Sequence, residues 1–129
     1  MMEVNDMKRL LFMKLLLLIL TCFLVGCSKN PKPAEQYIPI RAYVMQGSEE
    51  PIKPTVSLQD NNKFTFIYSA FSSYIAHGSY EVDKGNLILK TDDGKYKYVF
   101  KIKDTTLIFN KKESSAIPLV NVLDGAIFE

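Results

Sequence analysis

One stretch in the second half of the chain, residues 95–103, does most to restrict the fold. Tyr96, Tyr98, Phe100 and Ile102 alternate there with Lys95, Lys97, Val99, Lys101 and Lys103. A period of two puts the four apolar side chains on one face of an extended strand; a helix would scatter them around its circumference. Strands with one dry and one wet face belong to antiparallel sheets. The same alternation recurs at Phe64, Phe66 and Tyr68 against Lys63 and Thr65, and at Tyr80 and Val82 within 79–83. Residues 86–90 and 105–110 are short apolar runs rich in Leu, Ile and Phe.

The punctuation between these runs supports the same reading. Asp60-Asn61-Asn62-Lys63, Asp83-Lys84-Gly85-Asn86, Asp92-Asp93-Gly94-Lys95 and Lys103-Asp104 are turn sequences, because Asp, Asn and Gly adopt the backbone conformations that reverse a strand. Short strands joined by short turns describe a meander in which consecutive strands are neighbours. Two earlier strands are expected at 38–45, where Pro39 favours an edge, and at 54–59. Residues 69–78 break the alternation and are expected to form a helical turn or a bulged connection. The apolar tail 116–129, divided by Pro118 and Asp124-Gly125, is expected to end in a strand or a docked segment. The expected class is therefore all-β: an antiparallel meander of about six to eight strands forming a small barrel or a strongly curved sheet. The pattern leaves closed barrel and open sheet undecided.

The N-terminal part follows a different logic. Lys8, Arg9 and Lys14 precede an apolar run from Leu15 to Val25, which ends in Gly26-Cys27. A basic start, an apolar stretch and a small residue at the end form the pattern of a bacterial export signal, expected as an N-terminal signal helix. The run falls short of the roughly 20 residues of a bilayer span. Met1, Met2 and Met7 are alternative starts, and Met7 gives the most purely basic leader. The ending Leu24-Val25-Gly26-Cys27 resembles the lipobox of bacterial lipoproteins. That resemblance implies cleavage after Gly26 and acylation of Cys27, with palmitate-type chains anchoring the protein in the cell membrane and facing it outside the cytoplasm. An uncleaved membrane anchor is the alternative. Residues 1–26 are then a signal, 27–36 a lipidated cysteine with a Pro-containing tether, and 37–129 the β-domain. Extended, the tether reaches roughly 30 Å.

A second resemblance covers Phe64-Thr65-Phe66, Gly78-Ser79-Tyr80-Glu81-Val82, Leu87-Ile88-Leu89, Asp93 to Ile102 and Thr106-Leu107-Ile108-Phe109. These segments are similar to small extracytoplasmic β-domains of low-GC Gram-positive bacteria, with a lipocalin-like pattern. Such domains stand alone as lipoproteins or end membrane metallopeptidases of the beta-lactamase-regulator type. The His-Glu-x-x-His motif of those peptidases is absent, so the resemblance implies location and fold and no catalytic residue.

Residue by residue, the candidates for chemistry are few. The chain has 16 Lys+Arg and 14 Asp+Glu, one His and two Cys. A net charge of +2 does not suit a nucleic-acid binder. With Cys22 in the signal and Cys27 lipidated, no thiol remains for a disulfide, a metal or nucleophilic attack. His77 stands alone, and metal sites need three or four ligands. A histidine base acting on Ser72, Ser73 or Ser79 is the enzymatic alternative, without a Gly-x-Ser-x-Gly elbow to support it. The lysines at 90, 95, 97, 101 and 103 read as a solubilising face, or as a patch for anionic headgroups or wall polymers. Phe71, Tyr74 and His77, with Lys97 and Lys101, mark the expected binding region. The expectation is a non-enzymatic module with no cofactor and no metal, binding an envelope protein or a small amphipathic ligand. A regulatory or sensing envelope module is the second reading and a small hydrolase the third.

Overall fold

The computed structural model describes residues 3–22 and 36–129, which fall into two units, Met1–Glu35 and Gln36–Glu129. The first contains helix α1 (Glu3–Cys22), built largely from Leu and other good helix formers. Among the described residues, no helix is long and apolar enough to cross a membrane. Gly26, Cys27 and the tether to residue 35 lie outside the described residues.

The second unit is all-β. Its strands are β1 (Ala42–Val44), β2 (Thr55–Gln59), β3 (Lys63–Ile67), β4 (Ala76–Asp83), β5 (Asn86–Thr91), β6 (Lys97–Lys103), β7 (Thr106–Asn110) and β8 (Ile127–Phe128). Each pairs antiparallel with the one before it, so the eight-stranded sheet runs in chain order. Three of the reversals are tight. Asn61 and Asn62 (φ 60° and 56°) join β2 to β3, Lys84 and Gly85 (49° and 79°) join β4 to β5, and Asp104 (55°) lies between β6 and β7. All are left-handed conformations that Asn, Asp and Gly tolerate best.

The register faces one apolar set inward. Leu58 stands opposite Phe64, Leu89 opposite Tyr98, Phe100 opposite Phe109 and Leu107 opposite Phe128. Phe66 is the hub. Its ring lies edge-on to Tyr68, Tyr98, Phe100 and Phe128 at centroid distances of 5.6, 5.2, 6.2 and 6.1 Å. Such edge-to-face pairs add to the free energy of burial itself. Aromatic and aliphatic side chains therefore fill the interior.

The two ends of the sheet meet. Val44 and Glu129 exchange both backbone hydrogen bonds (2.8 and 3.0 Å), and the Gln46 N–H donates to the Ile127 carbonyl at 2.8 Å. A further bridge joins Met45 to Phe128. This seam curls the meander into a nearly closed barrel.

Several elements differ from expectation. The strand expected at 38–45 shortens to Ala42–Val44. Pro39 has no N–H to donate, and its carbonyl accepts the Tyr43 hydroxyl at 2.7 Å. Ile38 is buried in the core instead, so the segment crosses one end of the barrel as a floor. Arg41 fastens it, donating from Nη2 to the Thr105 carbonyl at 2.9 Å with its guanidinium 4.3 Å from the Tyr43 ring centre. In the 69–78 segment, the alternative of a bulged connection is closer than a helical turn: residues 68–75 form an irregular loop, and Ala76, His77 and Gly78 already belong to β4. Gly78 is needed there because a Cβ would collide with the Lys90 carbonyl oxygen and lie 2.8 Å from Thr91 Cα. Val99, on the face expected to be wet, is 5% exposed. Ser114 folds over it and accepts its N–H through Oγ at 2.8 Å. Tyr96, expected in the core, sits at the rim beyond the start of β6 and is 36% exposed.

Candidate functional site

The barrel has two unlike ends. The tight turns at 60–62, 84–85 and 104–105 share one end with the floor formed by residues 36–41. The connections 45–54, 68–75, 92–96 and 111–126 share the other. Antiparallel topology dictates this division, since alternate connections fall on opposite ends. The chain thus enters at the turn end, and every long connection lies at the loop end. Large apolar side chains stand exposed on each of these connections: Ile52, Phe71 and Tyr74, Tyr96, and Leu119 and Leu123.

Within the loop end, the 92–96 hairpin builds an ordered cluster. Asp93 Oδ1 accepts the Thr91 hydroxyl at 2.6 Å and the Lys95 N–H at 3.0 Å, while the Thr91 hydroxyl accepts the Tyr96 N–H at 3.1 Å. This is the local hydrogen bonding that makes Asp a turn residue. Asp93 Oδ2 accepts the Tyr74 hydroxyl at 3.1 Å, joining two connections. The Tyr74 ring meets the Tyr96 ring at 5.5 Å, and Tyr96 stacks on Tyr98 at 6.5 Å and 13°. The Thr91 hydroxyl, the Lys95 N–H and the Tyr74 hydroxyl all hold the Asp93 carboxyl below the usual carboxylate range. Partial burial and the Asp93 carboxylate push the Tyr74 phenol up.

Tyr98 is the anomaly of this cluster. Its side chain is fully buried, and its hydroxyl has no hydrogen-bond partner among the described residues. Burial, followed by the neighbouring Tyr68, Tyr74, Tyr96 and Asp93, pushes its ionisation far above the ordinary tyrosine value. Those neighbours show that the hydroxyl faces the loop end.

Beside β7, the 111–126 connection encloses a groove of about 310 Å³. Phe109, Ile117, Val120 and Val122 give it apolar walls, and Lys111, Ser114 and Ser115 line its rim. The Ser115 N–H donates to the Lys97 carbonyl at 2.7 Å, and Asp124 Oδ1 accepts the Lys111 N–H at 2.9 Å, so both ends of the connection are tied down.

The expected binding residues are only partly gathered. Phe71 (78% exposed) and Tyr74 share the 68–75 loop at the loop end. Lys97 lies at the loop-end start of β6, directly opposite Lys90, which pairs with Glu81 at 3.3 Å. Lys101 is four residues further along β6, roughly 13 Å away toward the turn end, and stands apart from the cluster. His77 is exposed on β4, opposite Thr65, and its carbonyl accepts the Asp92 N–H at 3.1 Å. No hydrogen bond joins it to Ser72, Ser73 or Ser79; the Ser79 hydroxyl accepts from Lys63 at 3.1 Å. Among the described residues, no group of three or more His, Cys, Asp or Glu is placed to hold a metal ion. Tyr96, Tyr98 and Asp93 were legible only as core and turn residues. The contact between Tyr74 and Asp93, 19 residues apart, is what makes them one site.

No family model, no curated protein and no solved structure matches this chain.

Proposed function

We propose that this chain is a membrane-anchored envelope lipoprotein whose barrel acts by binding, through its loop end, to a partner protein or small amphipathic ligand. The observation that carries the reading is the gathering of all four long connections, each with an exposed large apolar side chain, at one end of the barrel, while the turn-end floor exposes Tyr37 and Ile40. The chain enters the barrel at the turn end, and the exposed aromatic and aliphatic side chains of the long connections stand at the opposite end. The filled interior favours recognition on this end over a ligand within the barrel. Two acyl chains on Cys27 anchor such a protein stably where one is marginal.

The test is fractionation of cells carrying the wild-type or the Cys27→Ala chain, with photo-crosslinkers at Phe71 and, as control, at Lys84 on the turn end. The wild type should fractionate with membranes, carry a lipid-modified Cys27 by mass spectrometry, and give discrete crosslinks from Phe71 alone. A Cys27→Ala chain still membrane-bound after export would overturn the lipid anchor. Equal crosslinking from both ends would overturn the loop-end assignment.

A further inference from the structure

A buried hydroxyl without a partner costs stability, so its presence in a core needs a physical reason. Tyr98 supplies such a hydroxyl, with the buried Tyr68 on one side and the rim residues Tyr74, Tyr96 and Asp93 on the other. Tyr96 and Tyr74 are each 36% exposed. The loop bearing Tyr74 is buried at Tyr68 and Ser69 and exposes Phe71 and Ile75 beyond them. Its internal hydrogen bonds are short-range, from the Phe71 and Ser72 N–H groups to Ser69, from Tyr74 N–H to Ser72 Oγ and from Ser72 Oγ to the Tyr74 carbonyl. Its polar tie to the next connection runs from the Tyr74 hydroxyl to Asp93 Oδ2, with the Thr91 hydroxyl also beside the phenol. Segments with few buried contacts open at low free-energy cost. Displacing Tyr74 would bare a carboxylate oxygen and the face of Tyr96, whose ring stacks on that of Tyr98. The other carboxylate oxygen would stay fixed by Thr91 and Lys95.

We propose that the Tyr74–Asp93 contact is a latch over a site for one ammonium or guanidinium group, with Asp93 as counter-ion, Tyr96 as wall and the Tyr98 hydroxyl as hydrogen-bond acceptor. A cation suits every surface the opening would reveal. Its N–H donors answer the carboxylate and the unpaired phenol oxygen, and its charge favours aromatic faces. An anion would be repelled by Asp93, and a plain hydrocarbon would leave both polar groups unpaired. The site deepens the loop-end reading by naming the chemistry recognised there: a small amine or a Lys or Arg side chain of a partner.

The test is a titration of the full-length chain in detergent micelles, observed through ring-labelled tyrosines by NMR. The probes are n-butylammonium, the isosteric butyrate and butanol, and a blocked peptide with a single Lys. Butylammonium should shift Tyr74, Tyr96 and Tyr98 saturably, and butyrate and butanol should not. Tighter binding of the peptide assigns the cation to a protein partner; equal binding assigns it to a small amine. Asp93→Asn should weaken binding about tenfold and Tyr98→Phe several-fold. Tyr74→Phe, which frees Asp93, should strengthen it, an effect that a merely structural Tyr74 would not produce. Equal response to butyrate or butanol, absence of a saturable shift, or weaker binding by Tyr74→Phe would overturn the proposal. So would an ordered water satisfying Tyr98 in a chain that ignores amines. Failure here with Phe71 crosslinks intact would remove the cation site and leave the loop-end reading standing.

Discussion

Replacing Tyr98 by Phe removes one buried hydroxyl oxygen near the loop end of the barrel, and the burial of that atom without a partner gives the expected sign of the result. The Phe ring keeps the edge-on contact with Phe66 at 5.2 Å and the stack on Tyr96 at 6.5 Å. What disappears is a hydroxyl that gives up water on folding and gains no partner among the described residues. Such a group costs about 1–3 kcal/mol, so Tyr98→Phe should stabilise the barrel by about that amount. For a domain of this size, 1 kcal/mol moves the melting temperature by roughly 4–8 °C. Thermal unfolding followed by circular dichroism should therefore show a rise of at least about 4 °C. A second signature appears in alkali. The folded Tyr98 ionises far above 10.0, its ordinary value. Below that value both states are protonated, and above it only the unfolded state loses the proton. Stability attributable to this group is complete below pH 10 and falls as pH rises, by about 1.4 kcal/mol per pH unit. Tyr98→Phe should remove one proton's worth of that slope, leaving the part due to Tyr43, Tyr74 and Tyr80, whose ionisations burial also raises. A melting temperature that stays level or drops, with an unchanged alkaline slope, would refute the reasoning and show that the hydroxyl is paired.

Three other outcomes follow from the packing and electrostatics. Gly78→Ala should destabilise by about 3 kcal/mol, the upper range for overpacking, because the new methyl meets the β5 backbone and not a side chain that can move; urea unfolding reads it. Phe66→Ala should cost about 4 kcal/mol, since the cavity opens among four aromatic rings; unchanged urea unfolding would show that the hub is not energetically central. Acid should release the loop, because Asp93 has a lowered folded pKa and its contacts are present above the ordinary carboxylate range and lost as pH falls through the folded value. The ring signals of Tyr74 should shift with that titration, and in Asp93→Asn they should be pH-independent.

How much was legible beforehand varies by residue. Phe64, Phe66, Tyr98, Phe100 and Ile102 announced their inward face through period two, and the Asn, Asp and Gly turns announced where the strands reverse. Val99 and Tyr96 went astray because alternation describes a strand in isolation. Ser114 covers Val99 from a distant connection, and Tyr96 belongs to the rim because the Thr91 side chain and backbone close the hairpin there. His77, the only histidine, drew notice by its rarity but stands exposed on β4, while among the described residues the buried side-chain polar atom left unpaired belongs to Tyr98.

Local physics therefore settled the elements: side-chain period chose strands over helices, turn residues set the reversals, and short connections made neighbours of consecutive strands. Closure was decided only in three dimensions. The seam between Val44 and Glu129 joins segments near opposite ends of the domain through backbone hydrogen bonds, which carry no side-chain signature. The same holds for the loop end, where Tyr74, Asp93 and Tyr98 meet because curvature brings separate connections together. Periodicity reports which way each residue faces along its own strand; curvature decides which distant residues it then faces.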